Sequence, residues 1–235
     1  MLIDFHSHIL PAIDHGCADA LEAEQQLELM RSNKTDIAVA TPHFYPHIHS
    51  TSDYVQNIDA AVAEIRSRLG EKKLGISLAL GVEVLACETI DRMPDLDKLC
   101  IRGTRCLLLE MPACGEWGRL QIEAVKNLID DGYDVILAHI GRYMRRYENQ
   151  IDTLIAMGAM AQVNAEAFST RTLRRKMMAY IDGGYVCALG SDIHGADKSS
   201  YKNFTKMERR IGAENFKSIM NKAQELLATA ELIEL

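Results

Sequence analysis

Short unbroken apolar runs alternate along this chain with longer amphipathic stretches. The apolar runs cover residues 2–5, 37–40, 77–82, 106–109, 135–138, 161–163 and 186–189. They are continuous rather than alternating, which is the pattern of parallel strands covered on both faces. Between them, residues 20–33, 51–69, 118–131, 149–157 and 170–182 read as helices, and two more helices near 202–211 and over 213–227 close the chain. Ser52 is placed to cap the second helix, and Asp131-Gly132 to end the third. Strand–helix units follow one another without a long linker, a repeat or a low-complexity tract, so residues 1–235 are predicted to form one α/β domain. This alternation suits a closed barrel and an open doubly wound sheet equally well.

Composition narrows the functional classes. A length of 235 residues with 48% hydrophobic content fits one large soluble domain. The formal net charge of -7 argues against a nucleic-acid partner, which calls for a basic face. The six cysteines form no C-x-x-C pair, which fits scattered reduced thiols in a cytoplasmic protein. The N-terminus lacks the basic and apolar regions of a signal peptide, and the run at 106–109 is too short to insert into a membrane.

The residues just past the strands change the picture more. The first strand leads into His6 and His8, with Asp14-His15-Gly16 beyond. The others lead in turn into Thr41-Pro42-His43, Glu83, Glu110, His139, Asn164 with Glu166, and Asp192-Ile193-His194. Residues two apart in a strand share a face, so His6 with His8, and Asp192 with His194, can grip one ion. Imidazole and carboxylate ligands suit zinc, manganese or iron. A lone His at a strand end is ordinarily just hydrogen-bonded, but five His and three acids at successive strand ends point to metal. Such convergence favours the closed barrel, whose catalytic groups gather at its C-terminal face. His47 and His49 fall outside this pattern and read as surface or substrate-edge residues.

The series 6-HSHILP-11, 41-TPH-43, 81-GVE-83, Glu110, 138-AHIGRY-143 and 191-SDIH-194 resembles the PHP superfamily (polymerase and histidinol phosphatase). More narrowly it is similar to the bacterial metal-dependent protein-tyrosine phosphatases encoded with capsule and exopolysaccharide genes. That resemblance implies a distorted seven-stranded TIM-like barrel carrying three divalent ions, manganese in the family. Carried over by position, His6, His8, Glu83 and Asp192 would hold one ion, and His15, His43 and His194 a second. Glu83, as a bridge, would hold the third with Glu110 and His139. Asp192 and His194 would thus belong to the catalytic centre, and Arg142 would bind the substrate phosphate, a role its paired N–H donors suit.

Three positions depart from the family. His15 stands where the capsular phosphatases carry a second acid, which shifts the expected metal toward zinc or iron. Gly141 stands where Glu is frequent. The phosphate-contacting arginine that often follows the Asp-x-His motif in the family is not found in 195-GADKS-199, where Lys198 is the candidate substitute as a point charge without the bidentate fork. The implied chemistry is attack on a phosphomonoester by metal-bound hydroxide, without a phosphoenzyme, since a metal lowers the pKa of bound water to about 7. Other nucleophile systems fit poorly, because the chain has no G-x-S-x-G elbow, no P-loop and no Cys followed after five residues by Arg.

The expected substrate is a phosphotyrosine protein, namely a bacterial tyrosine kinase of capsule synthesis. The alternatives are a small phosphate ester of the histidinol-phosphate kind and a non-catalytic metal-binding regulatory domain. Nothing in the sequence assigns an oligomeric state.

Overall fold

A computed structural model describes residues 1–196 and 201–235 in full, and residues 198–200 only as part of a helix. Lys198, put forward above as a phosphate contact, therefore lies outside the described side chains. The parallel strands fall where the apolar runs place them: β1 (Ile3–His8), β2 (Ile37–Ala40), β4 (Ser77–Leu80), β6 (Cys106–Glu110), β7 (Asp134–Leu137), β8 (Met160–Asn164) and β9 (Val186–Gly190). Three of them stop and restart after a two-residue interruption, which makes β3 (His43–Phe44), β5 (Glu83–Leu85) and β10 (Ile193–His194). A last strand, β11 (Leu232–Glu234), lies antiparallel on β4 and has no counterpart among the predicted elements.

The helices are α1 (Ala20–Ser32), α2 (Thr51–Leu69), α3 (Arg119–Asp130), α4 (Glu148–Ala156), α5 (Arg171–Asp182), α6 (Lys198–Phe204), α7 (Met207–Ile211) and α8 (Ala213–Leu226). The helix expected near 202–211 is two helices, parted at Thr205 and Lys206. The cap of α2 is Ser50 rather than Ser52, because the Ser50 side chain accepts from the Asp53 N–H. Helix α3 ends at Asp131 as expected, with Gly132 at φ +83° supplying the turn.

The pairings form two sheets rather than one. One runs β10-β1-β2-β4-β11, the other β3-β5-β6-β7-β8-β9, and every pair except β4–β11 is parallel. Each interrupted strand contributes its first half to one sheet and its second half to the other. Val39, Leu78, Leu108, Ile136, Val163 and Leu189 are fully buried, as expected for strands covered on both faces. Among the described residues, no helix is long and apolar enough to cross a membrane.

Candidate metal centre

The strand breaks aim the chemistry. Beyond the breaks, His43 is in register with Glu83 across β3 and β5, and His8 with His194 across β1 and β10. All nine residues named as ligands meet at this one end of the strands, and all but His15 are brought within 4 Å of another's donor atom or into a converging donor group. His139 and Asp192 have φ of +31° and +52°, a backbone region that residues with a Cβ seldom adopt and that strained functional positions favour.

Glu83 is the hub. Its Oε2 lies 2.9 Å from His43 Nδ1, 3.1 Å from His6 Nε2 and 3.6 Å from His8 Nε2, and its Oε1 lies 2.7 Å from His139 Nε2. Asp192 Oδ1 stands 3.4 Å from His6 Nε2 and 3.2 Å from His8 Nε2. Glu110 completes the floor, 3.7 Å from both His43 Nδ1 and His139 Nε2. Three groups have donor atoms that converge: His8, His43 and His194; His6, His8 and Glu83; and His43, Glu83 and Glu110. His15 is exposed, its ring stacked on His43 at 4.9 Å and on His194 at 4.4 Å, and it belongs to none of these groups.

Two observations test whether these residues fit a cation. First, His43 Nδ1, Glu83 Oε2, His139 Nδ1 and His194 Nε2 are buried without a hydrogen-bond partner, although buried polar atoms are nearly always satisfied. The Glu83 oxygen has three imidazole nitrogens nearby yet satisfies hydrogen-bond geometry with none. Donors bound at about 2.0–2.2 Å to a shared ion necessarily stand roughly 3 Å apart, which is the spacing here. Second, the electrostatics are those of a missing positive charge. Burial disfavours protonated His6, but the Glu83 and Asp192 carboxylates outweigh it and raise its pKa. Burial likewise opposes protonated His8, yet bonds to Asp14 and Asp192 lift it to about 10. Glu83, fully buried, is nonetheless held well below the usual carboxylate range by His6, His139 and His43. A divalent cation would supply the charge that His6 and His8 otherwise carry as protons.

The residues around the ligands include two that sequence reasoning missed. Asp14 was noted only as part of the loop. Its Oδ2 lies 2.6 Å from His8 Nδ1 and accepts from the His43 N–H at 2.9 Å. Burial pushes the Asp14 carboxyl up, but His8 more than reverses this and holds it well below the usual range. A carboxylate on the far nitrogen of a ligating imidazole fixes its tautomer and orientation. Asp14→Asn is therefore expected to weaken metal binding about 10- to 100-fold with the fold retained. Titration of metal into the chelated variant checks this, and unchanged affinity would remove Asp14 from the site.

The other missed residue is Gln162. Its Oε1 accepts from the His139 N–H at 2.7 Å and lies 3.3 Å from His6 Nδ1, and its Nε2 donates to Asn164 Oδ1 at 2.6 Å. Asn164 Nδ2 in turn donates to Asp192 Oδ2 at 3.0 Å. Gly190 leaves room for this chain, since a Cβ there would fall 2.5 Å from both Gln162 Nε2 and His6 Cβ. The sequence signal for Gln162 is a polar residue inside an otherwise apolar strand.

Arg142 lies at the mouth. It hydrogen-bonds Asp192 through Nη2 and Glu166 through Nε at 3.1 Å, and its Nη1 is 3.2 Å from His139 Nε2. Its side chain is 40% exposed, against 0–8% for His6, His8, His43, Glu83 and His139. Gly141 beside it has no space for the family's Glu, because a Cβ would come 2.5 Å from that of Ala167. A cavity of about 310 Å³ opens here, lined by Arg142, Asn164, Asp192, His194 and Arg210 among others. On the opposite side, Tyr45 stacks on His43 at 5.7 Å and its N–H donates to His49 Nδ1 at 3.0 Å, while His47 is exposed. The predicted edge position of these two histidines matches this placement.

The family model described as capsular polysaccharide synthesis, CpsB/CapC, matches residues 2–228. The tyrosine-protein phosphatase YwqE of Bacillus subtilis is 24% identical over 228 residues, covering 91% of this chain and 86% of that protein. The tyrosine-protein phosphatase CpsB of Streptococcus agalactiae serotype V is 23% identical over 210 residues, covering 83% and 84%. Among solved structures, one of a study of YwqE from Bacillus subtilis and CpsB from Streptococcus pneumoniae, described as metal-dependent tyrosine phosphatases, superposes with a TM-score of 0.76 at 19% identity, covering 100% of this chain and 97% of that one. A histidinol phosphate phosphatase from Lactococcus lactis, solved with zinc, L-histidinol and phosphate, gives 0.59 at 10% identity, covering 91% and 93%. At these identities the structural likenesses are likenesses of fold.

Proposed function

We infer that this chain, which belongs to the CpsB/CapC family of capsular polysaccharide synthesis, is a metal-dependent phosphomonoesterase acting on phosphotyrosine in protein. The observation that carries the reading is the buried Glu83 carboxylate ringed by His6, His8, His43 and His139, with Arg142 lining the cavity beside it. Both curated relatives described above are named as tyrosine-protein phosphatases.

We assign His6, His8, Glu83 and Asp192 to one ion, His15, His43 and His194 to a second, and Glu83, Glu110 and His139 to a third. The convergence of His6, His8 and Glu83 supports the first assignment, and that of His43 and His194, in a group that also includes His8, the second. The stacking of His15 on those two rings places an additional imidazole beside them. Divalent ions in this centre would acidify water and neutralise charge on phosphate oxygens. Manganese follows the family, and zinc or iron the imidazole of His15.

The chain's own groups do the rest. Arg142 offers N–H donors at the mouth, where a phosphate dianion would enter. Asp14, Gln162 and Asn164 hold His8, His6 and Asp192 in fixed orientations, so little reorganisation accompanies the reaction. Burial and the Glu83 charge push the Glu110 carboxyl up, and a divalent ion bound there would hold it ionised. The distorted barrel is supported by β9 continuing after two residues into β10, which pairs with β1. The partner we propose is a bacterial tyrosine kinase, met in the cytoplasm.

The zinc-bearing histidinol phosphate phosphatase fold and His15 favour one second reading, a small alkyl phosphate as substrate. The two are separated by comparing a phosphotyrosine peptide with histidinol phosphate on the metal-loaded protein. We expect kcat/KM at least about tenfold higher for the peptide, a discrimination of roughly 1.4 kcal/mol. A preference for the alkyl ester would reject the tyrosine reading and leave the metal chemistry standing.

A further inference from the structure

The chain is acidic as a whole, at -7, yet residues 171–210 carry nine Lys and Arg against four Asp and Glu. Arg171, Arg174 and Arg175 lie at i, i+3 and i+4 in α5, which puts them on one face of that helix, and all three are exposed. Arg174 Nη2 donates at 3.1 Å to the Arg210 carbonyl, which joins this face to α7, where Arg209 is exposed as well. Arg210 then carries the positive charge into the cavity beside Asp192 and His194. Its Nη1 donates to the Ala165 carbonyl at 2.8 Å, and its Nη2 to Asn203 Oδ1 at 3.4 Å. Among the described residues, Arg171, Arg174, Arg175, Arg209 and Arg210 form no ion pair, although three like charges on adjacent turns repel one another. The acidic groups nearest in the chain are Glu166, which pairs with Arg142, and the exposed Glu208 of α7.

We propose that this basic face of α5 and α7 is a docking surface for the acidic flank of a phosphotyrosine-bearing peptide segment, which it leads into the cavity at the metal centre. The proposal rests on the phosphatase reading above for what enters the cavity. The charge balance favours a narrow peptide over an extended anionic surface. A chain of net charge -7 is repelled at long range by a membrane or a nucleic acid, while a single acidic strand can follow a local positive lane.

The test measures binding apart from turnover. A fluorescein-labelled peptide with a central phosphotyrosine and glutamates on both sides is titrated with the metal-loaded protein, alongside the same peptide with glutamines. The expected result is about tenfold tighter binding of the acidic peptide at low salt, with the difference vanishing in the triple variant Arg171→Ala/Arg174→Ala/Arg175→Ala and fading as salt rises. Equal binding of the two peptides, or a preference that survives in the triple variant, overturns the docking surface. Acidic-peptide preference without hydrolysis would instead keep the surface and reject the phosphatase reading. A second arm uses equimolar phosphatidylglycerol and phosphatidylcholine vesicles; retention there that exceeds peptide binding and is lost in the triple variant overturns the proposal in favour of a lipid surface. Circular dichroism of the triple variant guards against misfolding, and single substitutions at the exposed Arg171 and Arg175 each giving a partial loss confirm an additive charge effect.

Discussion

Glu83→Gln is expected to lower hydrolysis of an aryl phosphate by at least about a thousandfold, roughly 4 kcal/mol of transition-state stabilisation, and to strip the centre of metal while the protein still folds. The reason is that Glu83 holds four imidazoles with two oxygens, at separations of 2.7–3.6 Å. Glutamine keeps the shape but withdraws the negative charge and turns an amide –NH2 toward ring nitrogens that need to face a cation. His6 then loses one of the two carboxylates that favour its positive form, so it deprotonates more readily rather than remaining a buried, poorly compensated charge. Elemental analysis of the variant should find less metal than in the wild type, and chelated wild-type protein should show a comparable fall in turnover that added manganese or zinc reverses. A variant that keeps its metal and more than about a tenth of the turnover would displace Glu83 from the hub.

Arg142→Ala is expected to reduce kcat about a hundredfold, the scale seen when one preorganised donor to a transferring group is lost, with metal content unchanged. Arg142 is the exposed cation nearest the ligands, and its guanidinium already spans Asp192 and Glu166. Those bonds preset its plane, so a phosphate can meet N–H groups that are already aimed. Arg142→Lys should restore only part of the loss, because an ammonium lacks the planar fork. Loss of metal in Arg142→Ala would instead mean that the arginine serves to hold Asp192.

Much of the centre was legible because period and residue type point the same way. Continuous apolar runs located the seven principal parallel strands, and the histidines and acids within a few residues of most of their ends pointed to where candidate ligands converge. What was not legible depends on contacts distant in sequence or on local backbone geometry. The part played by Asp14 follows from the loop folding back so that its carboxylate meets both His8 and the His43 N–H, and nothing in its own neighbourhood announces that. Gln162 bonds to residues 23 and 156 positions away. Ser50 rather than Ser52 caps α2, because the helix begins at Thr51 as its pattern indicated and the residue just before it reaches the Asp53 N–H. Strand β11 was missed because a short terminal strand such as Leu232–Glu234 gains its stability from pairing with β4 rather than from its own pattern.

The interrupted strands have a consequence for how such a centre can change over time. His43, Glu83 and His194 ride on two- or three-residue strands set beyond a break, while the longer halves behind them are locked into the core by parallel register. A substitution at Thr41, Pro42, Val82 or Ser191 can thus shift a ligand without sliding the strand that supports it. Lineages could in this way retune which metal they prefer, and which phosphoester they accept, one hinge at a time on an unchanged scaffold.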